Sequence, residues 1–574
     1  MRIHVWYALI VCLFAICLIR LFYLQIIKHD YYKASAQSDQ YKEYEIAASR
    51  GIIKAYDGDQ IVPIVLSHTL YTIYADPQLI KNPDKTAVAI QKIIGGDTED
   101  YTAAMKRDGR YAVLAKKVTD EQRKAILKLR APGVGAQGQD YRTYPQGMLA
   151  AQLLGFVDDA GVGKYGIEQA LNSQLVGKPG MLKAVTDVQG VPLAASQDNI
   201  RIAPESGKDI VLTVDIGMQK QVEQLLKQGL DYAKSESGSV VVMDAKTGAV
   251  RAMANYPTYD PANYTKVENA NTFNNASATQ AIEVGSVMKP LTAAAALKLG
   301  VVKTGTTYYD PSRFQVDDAV VSNIEEDGGP GVKGIKEILN LSLNTGATWL
   351  VMQMGNGELN KQARVTWYNY MTNQYRFGQK TGIEQGYEET GYVPDPVRGD
   401  GLNITYANTS FGQAMTATTL QMGGSFAAML NGGTYYQPHL VESTIDASGT
   451  SKKHQPKVLS RNVVTPAISK YMQNTLEYVV DNHNFSRKFD NTTYSVGGKT
   501  GTAQIADPAG GYLANDYNGT YVGFVGGDEP EYVISVRVDK PKIAGYAGSK
   551  AAQPLFGQVG HMLIDNFNVP PKSR

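Results

Sequence analysis

A serine and a lysine three residues apart, Ser286-Val287-Met288-Lys289, form the one Ser-x-x-Lys pair in the chain. The pair alone is weak evidence, because chance supplies about as many in a chain of this length. Its surroundings carry more. Pro290 lacks an amide proton and fits only near the start of a helix. The apolar run Leu291 to Leu299, closed by Gly300, supplies that helix. Ser286 is thus expected at a helix N-terminus, where developing negative charge is favoured. Lys289 lies on the same face one turn on. An uncharged lysine there takes the hydroxyl proton and leaves a nucleophilic alkoxide. A free lysine titrates near ~10.4, and bringing it to neutrality costs about 4 kcal/mol. Burial and a second nearby cation both supply such a displacement, so the chemistry requires another Lys or Arg.

Lys-Thr-Gly occurs four times and offers candidates for that cation. Lys303-Thr304-Gly305 follows the same helix and starts about 20 Å from Ser286 at 1.5 Å per residue. Lys246-Thr247-Gly248 sits at a hairpin tip and reads as turn chemistry. Lys380-Thr381-Gly382 lies in a loop-like stretch. Lys499-Thr500-Gly501-Thr502 is on an extended run from Tyr494 to Ile505, preceded by Gly497 and Gly498. Glycines in a strand admit a ligand close to the backbone, which favours this fourth copy. A polar Ser342-Leu343-Asn344 lies between the two motifs. Cap or loop polarity explains it equally well, and Ser460-Arg461-Asn462 is a second match.

The elements that must position these residues follow from the whole chain of 574 residues. Its 43% hydrophobic content is enough for large cores, and 56 Lys+Arg against 55 Asp+Glu leave a net charge of +1. That balance argues against a nucleic-acid binder, which needs excess cation. The two cysteines, Cys12 and Cys17, exclude a disulfide scaffold. No His-Glu-x-x-His pattern or other metal-ligand set appears, no cofactor motif holds up, and His439, His454, His483 and His561 read as surface or packed residues. Val5 to Ile27 is a 23-residue apolar run with one charge, Arg20, long enough to span a bilayer. Ala34-Ser35-Ala36 has the residue types of a signal-peptidase site but lies far beyond the run, so an uncleaved anchor is expected, N-terminus in. Residues 31–205 are mixed, with a helix near Asp120 to Leu129 and many glycine turns. Ile202 to Asp209 makes a linker. Beyond it, Ser239 to Met243 with Ala249 to Ala254, and Thr520 to Gly526 with Tyr532 to Val538, read as hairpins. Ala551 to Phe567 reads as a closing helix and Val569 to Arg574 as a loose tail. The expected fold is α+β: an antiparallel sheet flanked by helices.

Ser-x-x-Lys, Ser-x-Asn and Lys-Thr-Gly in that order, at 286, 342 and 499, resemble the motif set of the serine penicillin-binding proteins and related β-lactamases. Arg50-Gly51-Ile52-Ile53, Arg142-Thr143-Tyr144-Pro145, Gly166-Ile167-Glu168, Phe411-Gly412-Gln413 and Asn431-Gly432-Gly433 extend the resemblance to class B members over nearly the whole chain. Val284 stands where the family often has Pro. Asn344 in place of Asp, Thr381-Gly382-Ile383 and Tyr521-Val522-Gly523-Phe524 resemble the division-type branch. The resemblance implies an anchor at 1–30, a pedestal (dimerisation-type) domain at 31–205 and a transpeptidase domain at 206–574.

It further implies a septal D,D-transpeptidase that cross-links D-Ala-D-Ala stem peptides of peptidoglycan and is acylated by β-lactams. Ser286 would be the nucleophile and Lys289 its base. Ser342 and Lys499 would relay a proton, and Asn344 would hold the donor stem's amide. Thr500 and Thr502 would hold its terminal carboxylate, Gly501 would complete the substrate-binding strand, and the Ser286 and Thr502 N–H groups would form the oxyanion hole. A membrane-embedded glycan polymerase and other division proteins are the implied partners. An elongation-type enzyme, a D,D-carboxypeptidase and a β-lactam sensor or hydrolase share the motifs, although no water-activating base for a hydrolase is identifiable.

Overall fold

The computed structural model describes residues 2–33, 41–46, 48–185, 200–324, 328–507 and 510–573. Ala34-Ser35-Ala36 therefore lies outside the described residues. Two compact units emerge, Met1–Gly51 with Val176–Lys208, and Ile52–Leu175 with Asp209–Arg574. In the first, Tyr41–Ile46, Gly180–Val185 and Ile200–Ile202 form a three-stranded antiparallel sheet. Its N-terminal helix, Arg2–Phe22, continues as a π-helical turn over Tyr23–Ile27. Residues Ile3–Ile27 make it the one helix among those described that is long and apolar enough to cross a membrane.

The larger unit is built on a five-stranded antiparallel sheet. Its strands are β1 (Ser237–Asp244), β2 (Val250–Tyr256), β3 (Ser495–Ala506), β4 (Tyr512–Gly526) and β5 (Pro530–Asp539), in the order β2-β1-β5-β4-β3. The hairpins legible near the start and end of residues 210–574 thus meet, because β1 pairs with β5 across nearly three hundred residues. Alternate residues of β1 point into two separate cores: Val241 and Met243 into one, Val240 and Val242 into the other. A sheet buried on both faces reads as an apolar run rather than an alternation, which is the Val240-Val241-Val242-Met243 pattern.

Helices supply both covers. In chain order they are α1 (Ile216–Ala233), α2 (Lys289–Lys298), α3 (Asn344–Gln353), α4 (Thr419–Leu430), α5 (Pro466–Asn482) and α6 (Gln553–Asn566). Leu226 and Leu230 of α1 with Leu555, Phe556 and Val559 of α6 fill one core. Leu291 of α2, Leu350 of α3, Phe426 of α4 and Leu476 of α5 fill the other. All twelve residues of α4 are buried, as expected of a helix surrounded by other elements. Its start is fixed by reciprocal bonds between Thr418 and Gln421. The α+β expectation, a sheet flanked by helices, is met.

Strands from distant parts of the chain join in a second sheet. Ser451–Lys453, Val441–Ile445, Asp209–Asp215, Ile53–Asp57, Gln60–Ala75 and Ala112–Val118 follow one another, and Val134–Thr143 also pairs with Gln60–Ala75. Asp209–Asp215 runs parallel to Ile53–Asp57. The sequence shows these strands one at a time. It does not show that residues 53–143 share a sheet with residues 209–215 and 441–453.

The expected loose tail is packed instead. Val569 is buried in the core below α6. Lys572 donates from its backbone to Thr493 and from Nζ to Glu477 and Asn491. Its short length and prolines concealed these partners, all of which lie far away in sequence.

Arg142 and Glu168 form a buried ion pair at 2.8 Å, their side chains 3% and 0% exposed. Arg142 also donates to Ser67 Oγ. Removing one member leaves the other charge buried without its counterion. Glu168→Ala is expected to cost about 3–5 kcal/mol of stability, read by chemical denaturation of the detergent-solubilised chain. A loss below about 1 kcal/mol would mean that the pair is solvated.

Candidate active site

Ser286 sits in a single 3-10 turn, Gly285–Met288, that runs directly into α2. The turn is pressed against β3 and against the Phe411-Gly412 segment. Gly285 has a φ of +65° and donates its N–H to the Gly412 carbonyl at 2.9 Å. A Cβ on Gly285 would lie 2.7 Å from Thr502 O and 3.1 Å from Thr502 N. Glycine is therefore required both by the left-handed backbone and by the approach of the neighbouring strand. On the strand side, a Cβ on Gly501 would meet Val284 O at 2.6 Å. Thr520 closes the contact by donating its hydroxyl to Val284 O at 2.7 Å. The nucleophile turn and the Lys-Thr-Gly strand are thus joined backbone to backbone, with the Thr502 amide beside the serine turn.

Lys289, the first residue of α2, is completely buried. Its Nζ donates to the Ser342 carbonyl and, at 3.1 Å, to Ser342 Oγ. Ser342 presents both oxygens to one amine while holding a left-handed φ of +57°, a conformation costly for a non-glycine residue. The Phe411 ring lies 6.0 Å from the same Nζ. Asn344 opens α3, and its Nδ2 donates to Ser322 O at 3.0 Å.

Lys499 is also buried, with its Nζ within 3.2 Å of both Thr500 O and Thr500 Oγ1. It lies on β3, the edge strand of the sheet. Thr502 Oγ1 accepts the Gly548 N–H at 2.9 Å, just before α6. Ser286, Ser342, Asn344, Lys499, Thr500 and Thr502 all line one cleft of about 940 Å3. Lys289 lies beneath it on Ser342, and Gly501 is buried in the strand. Each of the residues singled out by type and spacing is therefore brought to the cleft or to its floor.

The competing motif copies are elsewhere. Ser460 is on a short strand, hydrogen-bonded to Gln374. Lys246-Thr247-Gly248 is the β1–β2 turn, where Asp244 accepts the amides of Lys246 and Thr247. Thr381 and Gly382 donate their amides to the buried Glu388 carboxylate.

Sequence reasoning missed two groups. Glu283 accepts from Ala414 N at 2.9 Å and Tyr512 OH at 3.1 Å, tying the serine turn to both walls. Burial raises its carboxyl above the ordinary range. His483, which read as a packed or surface residue, lines the cleft. Its Nδ1 is 3.4 Å from Tyr521 OH, and the Tyr521 ring lies against Gly498. Neither residue belongs to a motif with chemistry of its own: Glu283 precedes Ser286 by three residues but gains its partners only in the fold, and only the fold brings His483 to the cleft.

The description "Penicillin binding protein transpeptidase domain" matches residues 238–560, and "Penicillin-binding Protein dimerisation domain" matches residues 45–212. The chain belongs to the penicillin-binding protein transpeptidase family. It is 29% identical over 572 residues to stage V sporulation protein D of Bacillus subtilis, covering 98% of this chain and 85% of that protein. It is 25% identical over 561 residues to peptidoglycan D,D-transpeptidase FtsI of Escherichia coli, covering 96% and 89%. The crystal structure of penicillin-binding protein 2X from Streptococcus thermophilus superimposes with a TM-score of 0.73 at 22% identity, covering 92% of this chain and 81% of that one. This penicillin-binding protein is accordingly a serine acyl-transfer enzyme, with a dimerisation domain ahead of its transpeptidase domain.

Burial, aided by the charge of Lys499, lowers His483 from its ordinary 6.5 to about 3. Between those values the unfolded chain binds a proton that the folded one does not, so stability rises with pH. Acidification from pH 7 to 4.5 should therefore weaken the fold by about 1.4 kcal/mol per pH unit below 6.5 from this residue alone. Denaturation curves of wild type and His483→Gln at both pH values check this. The substitution should remove that part of the acid sensitivity, and an identical pH dependence in the two proteins would refute it.

Proposed function

We propose that the cleft carries out D,D-transpeptidation of peptidoglycan stem peptides through an acyl-enzyme on Ser286, during septal wall synthesis. The observation that carries this is the double donation of Lys289 Nζ to Ser342 in a cleft shared with Ser286 and Lys499. A neutral amine has two N–H bonds to give. Uncharged, it also carries a lone pair, which takes the Ser286 proton. Ser286 Oγ then attacks the penultimate D-Ala carbonyl. The oxyanion rests on the N–H groups of Ser286 and Thr502, preorganised by the Gly285–Thr502 approach. Collapse breaks the C–N bond, and Ser342 with Lys499 passes a proton to the departing D-Ala amine. An amine from a second stem attacks the ester, forms the cross-link and restores Ser286.

Within this reading, Asn344 accepts or donates at the donor stem's amide, and Thr500 and Thr502 hold its terminal carboxylate beside the Lys499 ammonium. A β-lactam enters the same path and leaves its opened ring attached to Ser286. The relatives named peptidoglycan D,D-transpeptidase FtsI and stage V sporulation protein D support a division-type role. The Ile3–Ile27 helix supports a single-pass anchor with its N-terminus in the cytoplasm and the catalytic domain outside. Residues 31–205 then serve as the pedestal, 206–574 as the transpeptidase domain. A membrane-embedded glycan polymerase and other division proteins are the partners that this placement favours.

Fluorescent penicillin should label the full-length chain, with the adduct mapped to Ser286 by intact mass and peptide analysis. Ser286→Ala should abolish labelling. A stable adduct on the Ser286→Ala protein would overturn the assignment of the nucleophile.

A further inference from the structure

The segment between α2 and α3 contains a carboxylate that the mechanism does not use. Asp310 is completely buried. A buried charge without full compensation is expensive, so its partners are informative. Oδ1 accepts from Ser312 N at 2.9 Å and from Thr345 Oγ1 at 2.8 Å, and Oδ2 accepts from Asn323 Nδ2 at 2.8 Å. Asn323 Oδ1 accepts in turn from Thr345 N at 3.1 Å. Thr345 directly follows Asn344 at the start of α3, and Ser322, whose carbonyl holds Asn344 Nδ2, directly precedes Asn323.

Asp310 and Asn323 also bracket a hairpin, Arg313–Val316 with Ala319–Ser322. Asn323 N donates to Ser312 O at 2.9 Å and closes its base. At its tip, Asp317 accepts from Asn403 Nδ2 and Ile404 N, each at 3.0 Å. Beside the base, Tyr308 stacks on Trp349 of α3, ring centroids 4.5 Å apart. The hairpin is therefore fixed at both ends, and the fixed point nearest the cleft is the carbonyl that orients Asn344.

We propose that Asp310 is a positioning residue for acyl transfer: with Asn323 and Thr345 it locks the 310–323 hairpin to α3 and so sets Asn344 for the substrate's amide. The inference rests on the reading of Asn344 given above. Asp310 touches no substrate and acts through Ser322 and Asn344 alone. Misplacement of a binding group by about 1 Å lowers rates by up to about a hundredfold. A defect in Asp310 should therefore fall on substrates that offer an amide to Asn344.

The test is the second-order rate of acylation of the full-length, detergent-solubilised chain, followed by intact mass. Benzylpenicillin carries an acylamino side chain, and 6-aminopenicillanic acid has the same nucleus without it. Asp310→Asn sets a donor against a donor in the network. It should slow benzylpenicillin by about tenfold or more and 6-aminopenicillanic acid by much less. In the Asp310→Asn/Asn323→Asp swap the carboxylate and the amide change places and every bond can reform. The swap should return benzylpenicillin to within about threefold of wild type.

Should Asp310→Asn not fold, Thr345→Val removes one hydroxyl from the network at nearly constant volume and carries the same expectation. Asp310→Asn at the wild-type rate, equal slowing of both β-lactams, or a folded swap without rescue would each overturn the inference. Ser286→Ala serves as the separate control: acylation surviving it defeats the acyl-enzyme reading, whereas its loss with normal Asp310→Asn kinetics defeats only the role of Asp310.

Discussion

A completely buried lysine amine held by both oxygens of one serine is the interaction around which the larger unit is organised. Water cannot solvate Lys289, so the protein must supply its partners. Two of those partners are the oxygens of Ser342, a residue that stands in a left-handed backbone conformation. Just beyond it, the first turn of α3 is pinned by Thr345 to Asp310 and Asn323.

The second constraint is steric. The serine turn and β3 approach within the space of a missing methyl group, and Gly285, Gly412 and Gly501 make this possible. Hydrogen bonds from Gly285 to Gly412 and from Thr520 to Val284 hold the arrangement. Three backbones from separate regions of the chain therefore meet at one point. Because the sheet is covered on both faces by helices, a shift of any one strand disturbs two cores at once.

The parts legible in the sequence were those whose signal is local. Pro290 and the following apolar run mark the start of α2, and glycines before Lys499 mark a strand approached closely. Among the motif copies, turn chemistry disposed of Lys246-Thr247-Gly248. For Ser342-Leu343-Asn344 against Ser460-Arg461-Asn462 the flanking residues were not enough, and the fold separates them. His483 and Glu283 were invisible because a lone histidine or glutamate acquires meaning only from neighbours on other elements, such as Tyr521 for one and Ala414 and Tyr512 for the other. Asp310 was hidden because its partners Asn323 and Thr345 meet it only once the hairpin has folded against α3. The packing of Val569 and Lys572 depends on Glu477, Asn491 and Thr493, so a short proline-containing end read as loose. The second sheet escaped detection because parallel pairing between residues 53–57 and 209–215 leaves no trace in either segment alone.

The bond from Gly548 N–H to the Thr502 hydroxyl ties the assembly of the cleft to a segment made well after the serine turn. Ser286 and Lys289 emerge from the ribosome more than two hundred residues before β3, and β3 in turn precedes the segment that anchors its threonine. A nascent chain halted anywhere in that interval has a serine and a lysine but lacks the strand that must lie across them. The cleft is therefore assembled from backbones that become available at separate stages of synthesis.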